Sequence, residues 1–180
     1  DDLLGARIWW AGDRDFLEVL QAAAESERAA GRMPYVIPYG GSNAIGASAY
    51  ALAFQELWEQ VAEWPLPEAP SIDRIVFASS SGGTQAGLVV GAKSCGYQGQ
   101  VLGISVDKTG GHLREIVVAL LAPTAALLGL ELSLGSDDVL IDDGYLGGGY
   151  AHPTAEALEA VRLVRRAEGL PLETTYTGKA

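Results

Sequence analysis

The sequence predicts an α/β fold, a parallel sheet with helices on both faces, and three observations carry that expectation. Short apolar runs around Ile8, Tyr35, Ile75 and Ile104 are each followed by a stretch with helical spacing. The runs Ile75-Val76-Phe77-Ala78 and Val101-Leu102-Gly103-Ile104-Ser105-Val106 are nearly continuous, as strands buried on both faces require. Right-handed crossovers then put the turns after Tyr39, Ala78 and Val106 along the carboxyl edge of the sheet, where open α/β sheets bind ligands.

Taken in order, Asp1 to Gly5 reads as the tail of a helix ending in glycine, and Ala6 to Trp10 as a short strand. A helix follows, capped by Asp13 or Asp15, with Phe16, Leu17, Val19, Leu20 and Ala23 as its apolar face and Gly31 as its stop. Met33 to Tyr39 is expected as a second strand. The turn Gly40-Gly41-Ser42-Asn43 opens a long helix from Ala44 to about Trp64, with Ser42 or Asn43 as N-cap. That turn is either a cap alone or a cap that also faces an anion. Pro65, Pro67 and Pro70 form a rigid connection to the next strand.

The stretch IDRIVFASSSGGTQAGLVVG, residues 72–91, organises the rest. A strand turns through Ser79-Ser80-Ser81-Gly82-Gly83-Thr84 into a helix, and small residues there let the backbone approach an anion. The first helical turn points unpaired N–H groups at it, and Ser81 and Thr84 can each add a hydroxyl. The plainer alternative is a serine-capped turn that binds nothing. The P-loop ending and the G-x-G-x-x-G spacing are both absent, so the ligand is expected to carry a single phosphate.

Beyond the strand at Val101 to Val106, Lys108 can pair with Asp107 or Glu115 or face solvent, and a helix runs from about His112 to Leu128. Val139-Leu140-Ile141 is apolar. Asp142 to Tyr150 is a glycine-rich loop bearing Tyr145 and Tyr150 before Pro153 opens another helix, which stops near Gly169. Pro171 to Ala180 reads as an extended piece followed by the beginning of a further element.

Composition limits the partners. The 180 residues, 48% hydrophobic, suffice for one substantial core. A net charge of −11 argues against nucleic acid and against an acidic membrane surface, so an anion must be held by a local site. One cysteine and two histidines give neither an internal disulfide nor a typical zinc cluster, and no metal is expected. No signal peptide or spanning run is evident, which gives the expectation of a cytoplasmic protein.

The order of PYVIPYGGSNAIGASAY, SSSGGTQAGL, the Asp-Asp-Gly-Tyr-Leu-Gly-Gly-Gly-Tyr run and EGLPLETTYTGKA resembles the D-cysteine desulfhydrase and 1-aminocyclopropane-1-carboxylate deaminase family. This family is pyridoxal-phosphate dependent and shares the fold of the tryptophan synthase β subunit. The resemblance spans essentially the whole chain. It implies that Ser81, Gly82, Gly83 and Thr84 cradle the phosphate of pyridoxal 5'-phosphate and that Tyr150 and Tyr176 are active-site tyrosines. Tyr176 is expected to assist proton transfer and Tyr150 to shape the pocket. Thr177 falls where the deaminases place a glutamate facing the pyridine nitrogen. A hydroxyl there leaves a weaker electron sink, which suits β-elimination and favours desulfhydrase over deaminase; L-cysteate sulfo-lyase and 1-aminocyclopropane-1-carboxylate deaminase stand as the alternatives within the family.

None of Lys93, Lys108 and Lys179 matches the family's Schiff-base lysine motif, which belongs to a more N-terminal region. The chain is therefore expected to be an internal fragment, silent by itself, of an enzyme that takes a small amino-acid substrate and forms a homodimer. Residues 1–70 would be the remainder of a smaller domain and 71–180 the phosphate-binding domain. The alternative from another class is a non-catalytic module that binds a phosphorylated small molecule.

Overall fold

The computed structural model describes residues 2–64 and 71–180, so the proline connection expected at Pro65, Pro67 and Pro70 lies outside the described residues. The chain forms two compact units, Asp1–Pro38 and Tyr39–Ala180. The division thus falls after Pro38, and the long helix that precedes residue 70 belongs with the sheet.

In the first unit, helix α1 (Phe16–Ala29) starts at Asp15, whose carboxylate accepts from Leu17 N at 2.9 Å and Glu18 N at 3.0 Å. Glu27 pairs with Arg32 and, at 3.3 Å, with Arg7. The strands expected at Ala6 to Trp10 and Met33 to Tyr39 do not form. A strand exists only through hydrogen bonds to a neighbour, and neither segment has a neighbouring strand among the described residues. Their apolar side chains are largely exposed, Trp10 at 83% and Met33 at 98%.

The second unit is built from α2 (Ala44–Ala62), β1 (Arg74–Ser79), α3 (Gly83–Ser94), β2 (Gln100–Ser105), α4 (Gly110–Leu127), β3 (Leu140–Asp142) and α5 (Ala155–Glu168). The sheet order is β1-β2-β3, all parallel. Ile75 lies beside Val101 and Ser79 beside Ser105, so the two longer strands end level and release their turns at one edge. The apolar segment at Val139 to Ile141 supplies the third strand. Of the stretch from Pro171, residues 171–173 carry no regular structure and residues 174–179 form a run of turns.

The core lies among α2, α3 and α4 and the sheet. Phe54, Val90, Leu113, Val117 and Leu121 are almost wholly buried within it. Phe54 meets Tyr97 edge to face, with ring centroids 5.4 Å apart.

Glycines at positions 83, 87 and 91 recur every four residues and so line one face of α3. Helix α2 lies directly on that face. A Cβ on Gly83 would lie 2.6 Å from Ser42 Oγ, one on Gly87 2.6 Å from Tyr50 Cβ, and one on Gly91 2.7 Å from both Ala51 O and Phe54 Cβ. Such separations are inside van der Waals contact, so the two backbones approach this closely only because side chains are missing. Replacing Gly87 by alanine would also drive its Cβ into the carbonyl oxygen of Ala47, which cannot rotate away. Gly87→Ala is expected to destabilise the protein by about 1–3 kcal/mol, the usual range for overpacking, measured as a lowered denaturation midpoint with an unchanged denaturant slope.

Candidate active site

The turn between β1 and α3 lies at the edge where the strands end, and the backbone explains its composition. Gly82, the residue before α3, has φ +84°, and a Cβ on it would meet Ile116 and Val117 of α4 at 3.0 and 3.2 Å. Left-handed backbone and lack of space both select glycine. No side chain at Gly82 caps the helix. The cap comes from another element: Ser42 Oγ accepts from Gly83 N at 3.0 Å and donates to Ser81 Oγ at 2.7 Å.

Ser42 is free to do this because Asn43 caps α2, its Oδ1 accepting from Gly46 N at 2.8 Å. The two residues the sequence left as alternative caps thus divide the work. The backbone N–H groups of Ser81, Gly82 and Thr84 have no acceptor among the described residues. Ser79 Oγ, shielded from solvent, also lacks a partner. The helix is therefore not a turn closed by its own serines: one N–H is taken, by Ser42, and the others remain unpaired near the positive end of the helix dipole.

These residues line a cavity of about 310 Å³ together with Tyr39, Gly40, Ala78, Ser80, Tyr150 and Tyr176. Gly40, at φ +63°, passes so close to Ser81 that a Cβ would collide with its side chain. Beside the cavity Ser80 Oγ donates to Asp107 Oδ2 at 2.9 Å. Lys108 Nζ pairs with the same carboxylate at 2.5 Å and lies 5.8 Å from the centroid of the Tyr39 ring. Among the acids left open for Lys108, the partner is Asp107.

Tyr150 and Tyr176 meet across the cavity. The Tyr176 hydroxyl donates to the Tyr150 hydroxyl at 2.9 Å, and the rings stand edge to face, 5.7 Å between centroids. That bond to Tyr150, then burial, then the nearby charges of Tyr150, Tyr39 and Asp107 push the Tyr176 phenol well above its ordinary range. Tyr176 therefore holds its proton.

Its turn is shaped by Glu173, whose carboxylate accepts from the backbone N–H of Thr175 and Tyr176, both at 2.7 Å, and of Thr177 at 2.8 Å. Burial raises the pKa of this carboxyl, but the N–H donors of Thr177, Thr175 and Tyr176 outweigh it, and the net shift is downward. Hydrophobic periodicity does not single out Glu173. Its signal is a carboxylate two to four residues ahead of a tight turn, the spacing of a side-chain cap.

The structure thus brings Ser81, Gly82, Thr84, Tyr150 and Tyr176 to one cavity. Gly83 stands behind that lining with its N–H on Ser42. Thr177 is not among the lining residues either: its hydroxyl accepts from Glu173 N at 2.9 Å and lies 3.3 Å from the Glu173 carboxylate.

A helix start with unpaired N–H groups, hydroxyls on both sides and a phenol pair opposite suits a phosphorylated aromatic ligand. The model of the pyridoxal-phosphate dependent enzymes matches residues 1–180. The chain belongs to that family. Among its relatives, the D-cysteine desulfhydrase of Klebsiella pneumoniae strain 342 is 39% identical over 163 residues, covering 91% of this chain and 47% of that protein. The D-cysteine desulfhydrase of Klebsiella pneumoniae subsp. pneumoniae strain ATCC 700721 / MGH 78578 is 38% identical over 161 residues, 89% of this chain and 47% of that protein.

A crystal structure of an ACC deaminase homologue superposes with a TM-score of 0.82 at 31% identity, covering 100% of this chain and 53% of its own. The chain spans about half the length of the family members it matches. The family's cofactor is pyridoxal phosphate, and the cradle fits its phosphate by the two observations above, unpaired turn N–H groups and glycines where a Cβ has no room. Among the described residues no group of histidine, cysteine or carboxylate side chains could hold a metal ion, and no helix is long and apolar enough to cross a membrane.

The raised pKa of Tyr176 has a measurable sign. Its hydrogen-bonded phenol stabilises the fold fully below the unfolded value of about 10, and that stability is lost as pH rises from there toward the folded value. Titration of tyrosinate absorbance is expected to show a late-ionising phenol from Tyr176 beside that of Tyr97, whose burial also raises it. Tyr150→Phe, which removes the acceptor, is expected to bring Tyr176 back toward about 10.

Proposed function

We propose that this chain is the cofactor-phosphate half of a pyridoxal-phosphate dependent carbon–sulfur lyase that converts D-cysteine and water to pyruvate, hydrogen sulfide and ammonia. The observation that carries the reading is the Tyr150–Tyr176 hydroxyl pair, set at 2.9 Å across one cavity from the small-residue turn. The similarity to desulfhydrases supports the choice of substrate.

When bound, pyridoxal phosphate supplies an electron sink that draws charge from the α-carbon of an amino acid. The N–H groups of Ser81, Gly82 and Thr84, with the Ser81 and Thr84 hydroxyls, hold its phosphate as charged acceptor, each bond contributing about 1.5–3 kcal/mol net. Tyr39 and the two tyrosines wall the cavity. Tyr176, which keeps its proton, steadies the Tyr150 oxygen by donating to it.

Tyr150 is then the phenol that can give a proton to, or take one from, a substrate atom in the cavity, because a phenolate at that oxygen is stabilised by the Tyr176 O–H. This reverses the division of roles expected from the sequence. The complete protein is further proposed to act as a homodimer in the cytoplasm.

In the full-length protein, bound-cofactor absorbance and pyruvate release from D-cysteine are the direct tests. Tyr150→Phe is expected to lower kcat by about 10²–10⁴-fold with cofactor absorbance retained, the span typical of a lost proton-transfer group. A full-length protein that releases no pyruvate from D-cysteine, yet forms ammonia from 1-aminocyclopropane-1-carboxylate, would assign it to the deaminases.

A further inference from the structure

Lys179 is only 5% exposed, and among the described residues its ammonium has no carboxylate partner. Its Nζ donates instead to three backbone carbonyls, Gly149 O at 2.7 Å, Leu146 O at 2.9 Å and Val106 O at 3.3 Å. An ammonium has three N–H donors, and all three are used. Buried lysines are rare because desolvation is costly, so a buried one held by carbonyls alone calls for a reason.

The origins of the carbonyls supply it. Val106 follows the last residue of β2, and Leu146 and Gly149 belong to the turn before Tyr150. The shortest bond is to the carbonyl of the very peptide that joins Gly149 to Tyr150. The backbone of Lys179 donates in turn to Tyr176 O at 3.0 Å. One residue therefore ties the end of the sheet to the segments carrying both phenols.

The Tyr150 segment needs such a tie. Gly147, Gly149 and Ala151 all have positive φ, and Ala151, at +59°, is the single non-glycine residue so placed among the described residues. Its carbonyls turn toward one point, which their like dipoles disfavour unless a cation sits there.

We propose that Lys179 is a positioning residue, whose ammonium clamps the 146–149 turn to the end of β2 and so sets the Tyr150 hydroxyl against Tyr176. The inference rests on the catalytic role proposed for Tyr150.

The test uses the full-length protein with cofactor. Lys179→Met is expected to lower kcat on D-cysteine by on the order of 10- to 100-fold while cofactor absorbance is kept, the cost of a displaced catalytic group. Adding Tyr150→Phe to Lys179→Met should cost no more than Tyr150→Phe alone, since both act through one hydroxyl. Backbone hydrogen exchange across residues 144–151 should quicken in Lys179→Met. Unchanged kcat, additive losses or wild-type exchange would each overturn the proposal.

If Lys179→Met does not fold, Lys179→Arg carries the test. Its planar fork keeps the charge but changes the carbonyl geometry, so reduced kcat with retained cofactor absorbance is expected and full kcat overturns the idea. Should the wild-type protein prove inactive on D-cysteine, the assigned reaction fails by itself, and the exchange measurement still decides the clamp.

Discussion

The close approach of α2 to the glycine face of α3 is the constraint on which the site depends. Because Gly83, Gly87 and Gly91 present no side chains, the start of α2 comes near enough for Ser42 to reach Gly83 N and Ser81 Oγ. The turn is thereby braced from outside. Its own serines need not fold back to cap the helix, and its remaining N–H groups stay unpaired toward the cavity. A single larger residue on that face of α3 would move α2 outward and take the brace with it.

The electrostatics are local in the same way. A chain of net charge −11 repels anions at long range, and screening confines that repulsion to about 8–10 Å at moderate salt. Within the cavity the positive end of α3 decides. The nearest lysine, Lys108, is already paired with Asp107, so backbone N–H groups and hydroxyls rather than a free cation face the ligand. Such a site offers an anion directed donors in a fixed geometry, as the proposed hold on a cofactor phosphate requires.

Tyrosines 150 and 176 meet for reasons in separate segments. Glu173 gathers three backbone N–H groups and so forms the turn of Tyr176, while Lys179 gathers carbonyls of the loop before Tyr150. One is a carboxylate collecting donors and the other an ammonium collecting acceptors. Both organise irregular backbone that has no helix or strand to satisfy it.

The sequence by itself determined the local elements whose cause is local: the polar starts of α1 and α2, the helices after the small-residue turn and after Pro153, and the strands at Ile75 and Ile104, while the structure chose Asp15 over Asp13 and Asn43 over Ser42 as the caps. Caps and periodicity act over a few residues, so a single stretch contains the whole cause. The small-residue turn was legible as a strand-to-helix turn with free N–H groups for the same reason. Family motifs then added Tyr150 and Tyr176, which no periodicity marks. Tertiary structure alone decided that the apolar runs at Ile8 and Tyr35 are not strands, because a strand is defined by a neighbour that its own residues cannot specify. It likewise decided which serine braces the turn and what Lys179 holds, since those partners lie 41 and 30 to 73 residues away. Hydrogen bonds of that span follow from how the elements pack, and no local pattern announces them.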